Sequence, residues 1–185
     1  MITFLFIKEV INLPNLSDFS PDLMPYNREN AVNYALSWAL NPNPGFYDYS
    51  DIGGDCTNFA SQVIFAGGAV MNFNPVHGWY YIDPNRKSPS WTGVNFLHDF
   101  LISNREQGPW GEEVGVRQIQ TGDIIQLSFQ GGIFQHSLVV THLAGPPDLE
   151  NIYVSTHTPN ARNVRLTAEY SWEKIRFIHI LGSRA

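Results

Sequence analysis

The segment Asp55-Cys56-Thr57-Asn58-Phe59-Ala60-Ser61-Gln62-Val63-Ile64-Phe65-Ala66-Gly67-Gly68 decides how this chain is read. Phe59, Val63 and Ala66 fall at i, i+4 and i+7, the spacing of one helix face, and Gly67-Gly68 supplies the stop. Cys56 is thereby placed in the first turn of a helix. It is the sole cysteine of 185 residues, so it has no partner for an internal disulfide and cannot build a thiolate zinc cage. Such a residue is either inert packing, with Asp55 as a helix cap, or chemistry. A thiol attacks carbonyls as thiolate, and a helix start supplies unpaired N–H groups and a positive dipole end that favour the anion. The same N–H groups can hold the oxyanion of a tetrahedral intermediate. Gly53 and Gly54, just upstream, let backbone approach a substrate closely.

Outward from this helix, residues 43–54 form a loop dense in Pro, Gly, Asp and Tyr. Before it, Asn27 is the expected N-cap of a helix carrying Ala31, Tyr34, Ala35 and Trp38, which Asn41-Pro42 ends. Residues 1–25, with Pro14, Pro21 and Pro25, are expected to be an arm on a single domain spanning 26–185. The opening stretch lacks a basic n-region and is broken by Lys8 and Glu9, so it does not read as an intact signal peptide. Downstream, 69–90 is aromatic loop and Trp91 to Ser103 reads as a third helix through Val94, Leu97, Phe100 and Leu101. Four β-branched or alternating runs follow: Ile124 to Phe129, Gln135 to Leu143, Ile152 to His157 and Ile175 to Leu181. Helices followed by consecutive strands predict an α+β fold, with the helices packed on an antiparallel sheet.

Composition narrows the function classes. A hydrophobic content of 43% with 15% charged residues describes a chain that folds around its own core. The net charge of −6, with no basic run, is wrong for a nucleic-acid partner. No apolar run approaches the roughly 20 residues of a membrane helix. A monomer without a cofactor is expected.

A catalytic thiol needs a base, and the strand Gln135-His136-Ser137-Leu138-Val139-Val140-Thr141-His142 offers His136. His136 shares a face with Leu138 and Val140; if those pack the sheet on the Cys56 helix, His136 is aimed at that helix. A third group should orient the imidazole. A hairpin centred on residue 147 sets His136 opposite Thr158, and a shift of one brings His157 alongside. Asn160 is the rival orienter, and His157 can also be a plain strand end.

These residues carry a resemblance. Asp55 to Gln62, then Gly122-Asp123-Ile124-Ile125-Gln126-Leu127 and Gln135 to Thr141, resemble the Putative amidase domain family of bacteria, as do Ser155-Thr156-His157-Thr158 and Asn160. The similarity runs from about Tyr26 to Ile180. More distantly the order helix-borne Cys, strand-borne His, then a polar residue is similar to NlpC-type cell-wall peptidases and CHAP amidases of the papain-like superfamily. The resemblance implies a papain-like cysteine hydrolase cutting an amide or peptide bond, with peptidoglycan stem peptides as one substrate class and an extracellular or cell-wall location. It also implies an oxyanion role for a Tyr before the nucleophile, here Tyr49 or Tyr47. Export and a cytoplasmic location both stay open.

Two other readings compete. A metal site would need convergent ligands, but His136 and His142 sit six residues apart on one strand, about 20 Å if extended, and no H-E-x-x-H pair occurs. A catalytically inactive module of the same fold would bind cell wall or peptide through Trp79, Tyr80, Tyr81, Trp91 and Trp110. Such a module has no reason to keep both Cys56 and His136.

Overall fold

A computed structural model describes residues 23–185. The expected arm therefore falls outside the described residues except for Leu23–Pro25, the short strand β1, which pairs antiparallel with the last strand. Helix α1 (Arg28–Trp38) starts at the expected cap, where the Asn27 side chain accepts from the Asn30 N–H. Helix α2 (Cys56–Ala66) starts at the cysteine and ends where the Gly67 N–H returns to the Val63 carbonyl. The single helix expected over 91–103 is two, α3 (Pro89–Thr92) and α4 (Val94–Ser103). Gly93 separates them in an extended conformation; its N–H closes α3 on the Pro89 carbonyl and its own carbonyl opens α4.

The strands are β2 (Tyr81–Asp83), β3 (Arg86–Lys87), β4 (Gly108–Val114), β5 (Ile124–Ser128), β6 (His136–Leu143), β7 (Ile152–Thr156), β8 (Ala161–Arg165) and β9 (Lys174–Arg184). A short helix α5 (Leu166–Glu169) lies between β8 and β9. β2 and β3 form a separate hairpin. The rest make one seven-stranded antiparallel sheet, ordered β1-β9-β5-β6-β7-β8, with β4 also on β9. This is the expected α+β class. The hairpin register is also the expected one near the site, since Val139 faces Ser155 and Val140 faces Val154.

The sheet is buried on both faces, and this overturns one expectation. Phe59, Ala60, Val63 and Ile64 of α2 pack with Ile124, Val139 and Ile178 on one face. Leu138 and Val140 belong to the other face, with Ile125, Leu127, Ile152 and Val154. They do not pack the sheet on the Cys56 helix, because β6 is a central strand whose apolar residues serve two layers. On the α2 side β6 presents Val139 and, nearer the cysteine, Ser137, whose hydroxyl lies 2.9 Å from that of Thr57. Trp79 and Trp91 are fully buried and donate to Ser61 and Asn58 of α2, so they build the core and line no groove.

Candidate active site

Two left-handed glycines, Gly53 at φ 87 and Gly54 at φ 103, turn the chain into α2. The next N–H, of Asp55, is capped by the Thr158 hydroxyl at 2.9 Å. The N–H of Cys56, in the first turn, has no intrahelical acceptor. The Cys56 thiol is 7% exposed and receives the Ser137 N–H, with the Thr57 hydroxyl 3.8 Å away. Cys56 therefore sits against the peptide that joins His136 to Ser137. The His136 ring points to the far face, between Phe129 at 6.1 Å and Tyr170 at 5.7 Å between ring centres. The thiol thus lies on the α2 side of β6 and the His136 ring on the other side.

Burial pushes the Cys56 thiol up, and the hydrogen bonds from Ser137 and Thr57 offset part of that. Burial also pushes His136 from the usual 6.5 down to about 4. Both shifts favour the neutral form, a thiol at Cys56 and an imidazole at His136. Among the described residues no hydrogen bond joins the two side chains, and the buried Nε2 of His136 has no partner, nor has the Tyr170 hydroxyl.

The expected orienting residues lie elsewhere. His157 is buried, its Nδ1 2.5 Å from Asp55 Oδ2 and its Nε2 2.8 Å from the Trp38 carbonyl. Both ring nitrogens are thus taken, and neither partner is His136. The physical reason is alternation: His157 shares the helix face with Ser155, the partner of Val139, whereas His136 lies on the other face with Leu138 and Val140. Its ring stacks on Phe59 of α2 at 4.3 Å. Asn160 is exposed and donates to the Leu40 carbonyl at 3.3 Å. Asp55 does not cap α2 with its side chain. Its other oxygen accepts from the Tyr49 N–H and the Asn58 amide, so it ties the preceding loop to the helix and to His157.

Tyr49 is buried and its hydroxyl is directed to the Pro84 carbonyl at 3.4 Å. It does, however, help line a cavity of about 640 Å³ with Tyr47, Gly53, Gly54, Lys87 and Thr92, which opens on the loop leading into Cys56. Among the described residues no three His, Cys, Asp or Glu side chains converge as metal ligands. Tyr170, which follows α5, is the site neighbour that sequence reading missed; strand and helix periodicities carry no information on a residue between elements.

A family model described as Putative amidase domain matches residues 25–180. Two Bacillus subtilis (strain 168) proteins are similar: Uncharacterized protein YhbB, 35% identical over 118 residues, covering 62% of this chain and 37% of that protein, and Uncharacterized protein YjcM, 25% identical over 147 residues, covering 75% of this chain and 32% of that protein. The chain thus spans about a third of the length of these relatives. No solved structure matches it.

Proposed function

The chain belongs to the Putative amidase domain family, and from that premise we propose that it is a papain-like cysteine hydrolase of amide or peptide bonds, with Cys56 as nucleophile and His136 as base. The observation that supports this reading is the buried thiol at the start of α2, placed against Ser137 of β6, the residue that follows His136, whose Nε2 has no partner among the described residues. A substrate enters along the cavity beside Gly53 and Gly54 and brings its carbonyl carbon to Sγ. Because the resting pair is neutral, the thiol proton passes to His136 as the S–C bond forms. The carbonyl becomes an oxyanion that accepts the Cys56 N–H. His136 then gives the proton to the departing amine as the C–N bond breaks. Water hydrolyses the thioester, losing its proton to His136 and returning the thiol. No cofactor takes part.

The substrate class by family is an amide, and peptidoglycan stem peptides outside the cell membrane are the specific candidate, cut by a monomer. Incubating the protein with purified cell walls and identifying new amino termini tests this, with Cys56→Ala as control. The parent is expected to release termini and to carry an acyl group on Cys56 during turnover, visible by mass spectrometry. Cys56→Ala should fold, since it removes one small buried side chain, and should lose all turnover. Hydrolysis persisting in Cys56→Ala would remove the nucleophile from the reading.

A further inference from the structure

Three buried polar side chains on the α2 side of the sheet have no role in the mechanism so far: Thr57 of α2, Ser137 of β6 and Gln126 of β5. They join end to end. The Thr57 hydroxyl lies 3.8 Å from the Cys56 sulfur, the Ser137 hydroxyl 2.9 Å from that of Thr57, and Gln126 Nε2 3.2 Å from that of Ser137. At the far end Arg176 of β9, half-buried with its guanidinium on the Phe134 ring, donates its Nε–H to Gln126 Oε1 at 2.8 Å.

The direction of each bond follows from what its partners can do. Arg176 only donates and the Val94 carbonyl, 2.8 Å from Gln126 Nε2, only accepts, so the Gln126 amide has a single orientation that satisfies both. Its second N–H then goes to Ser137 Oγ. The Ser137 hydroxyl proton is left with Thr57 Oγ1 as its acceptor among the described residues, and the Thr57 proton with the Cys56 sulfur. Every donor therefore points toward Sγ. An amide does not pass a proton on, so this chain can hold negative charge at the sulfur but cannot carry the thiol proton away.

Resting on the hydrolase reading, we propose that the Thr57 hydroxyl is a catalytic donor to Sγ, and that Ser137, Gln126 and Arg176 are the positioning residues that fix it as one. The chain stabilises the charge that develops on Sγ as its proton passes to His136 and its electron pair forms the S–C bond, and again as Sγ leaves the thioester. Gln126 and Ser137 are fully buried, where hydrogen bonds polarise one another most strongly. Of the charged groups around the chain, Glu113 of β4 and Asp99 of α4 face Arg176, and Asp55, paired with His157, opposes charge on the sulfur.

The readout is the midpoint of the pH profile of Cys56 alkylation by iodoacetamide, followed to its plateau. Loss of a donor moves the midpoint, whereas loss of access lowers the plateau alone. Thr57→Val keeps the shape and removes the hydroxyl, so its midpoint should rise by about one pH unit or more, a fall of roughly tenfold in rate at pH 7, as for one hydrogen bond to a charged group. Thr57→Ser should restore the parent midpoint. Gln126→Met leaves Thr57 and Cys56 in place and should move the midpoint the same way by a smaller amount. An unmoved midpoint in either Thr57→Val or Gln126→Met overturns the proposal. If Gln126→Met fails to fold, Ser137→Ala breaks the chain while keeping the Arg176 and Val94 contacts of Gln126, with the same expectation and the same overturning result. Alkylation needs no turnover, so the two readings fail separately: a moved midpoint in a protein that never acylates Cys56 would overturn the hydrolase reading, and turnover with unmoved midpoints would overturn the donor chain alone.

Discussion

His136 is 5% exposed and held near apolar and aromatic neighbours, with no carboxylate to pair with when it gains a proton. Its pKa is therefore pushed from the usual 6.5 down to about 4 by burial alone. A depressed folded-state value makes stability a function of pH with a definite sign. Between 6.5 and about 4 the unfolded chain binds the proton and the folded chain does not, so the contribution is complete above 6.5 and is lost as pH falls through that window. The slope from one such group is about 1.4 kcal/mol per pH unit, roughly 3 kcal/mol over the window. Urea denaturation of the parent and of His136→Gln at pH 7, 6, 5 and 4.5 reads this directly. The variant should lose less stability on acidification by about that slope; parallel curves would mean that His136 titrates normally in the folded chain. The same neutral pair sets the reactivity of Cys56, because burial pushes the thiol up and its neighbour is uncharged above about pH 4. Its alkylation by iodoacetamide should accordingly rise with pH up to and past the free-thiol range, with no plateau near neutrality.

At the scale of elements, the Asp55–His157 pair joins the start of α2, the end of α1 at the Trp38 carbonyl and the end of β7. Both side chains are 1% exposed. Removing one partner of a buried pair strands the other, a loss of about 3–5 kcal/mol. His157→Ala should therefore lower the urea midpoint strongly, while the folded fraction at low temperature keeps iodoacetamide reactivity at Cys56; a stable protein with a large loss of kcat would return His157 to the catalytic machinery. How far the site was legible follows from the same elements. Helix α2 was readable because its period, its cysteine and its glycine stop agree. The register of β6 on β7 near the site was also readable, agreeing with a hairpin centred on residue 147, although an irregularity between Val140 and His142 shifts it by one nearer the connection. Which face of β6 meets α2 was not, since Leu138, Val139 and Val140 form a continuous apolar run and a strand buried on both sides shows no alternation. That one ambiguity misdirected the aim of His136, which was read from Leu138 and Val140 as pointing at α2. β4 and β8 escaped notice because β4 carries Pro109 and two glycines, and β8, an edge strand, is mostly polar and exposed.

The described fold is a sheet between two apolar layers, and the candidate residues lie at the end of β6 where it begins, Cys56 of α2 on one side and the His136 ring with Tyr170 on the other. The opposite end is held by a different kind of joint. Asp123, fully buried at the start of β5, accepts from Arg28 of α1 at 2.7 Å and lies 2.7 Å from His179 of β9; it also accepts the Ile180 N–H at 3.0 Å. Arg28 goes on to the carbonyls of Thr121 and Ile180. One carboxylate thus ties the first helix to two central strands, which gives the Gly122-Asp123 motif a structural task away from the thiol: β5 carries Leu127, the residue paired with His136, at its other end. Asp123→Asn keeps the shape and loses the charge, so it leaves the buried Arg28 contact uncompensated, at a cost of about 3–5 kcal/mol. For a domain of this size each kcal/mol lowers Tm by about 2–4 °C, so a fall of roughly 6–20 °C is expected. The rate of Cys56 alkylation, measured well below the lowered Tm, should match the parent, because nothing in the site touches Asp123. A variant with the parent's Tm and an altered alkylation rate would show that this joint reaches the thiol after all, and that the two ends of the sheet act as one.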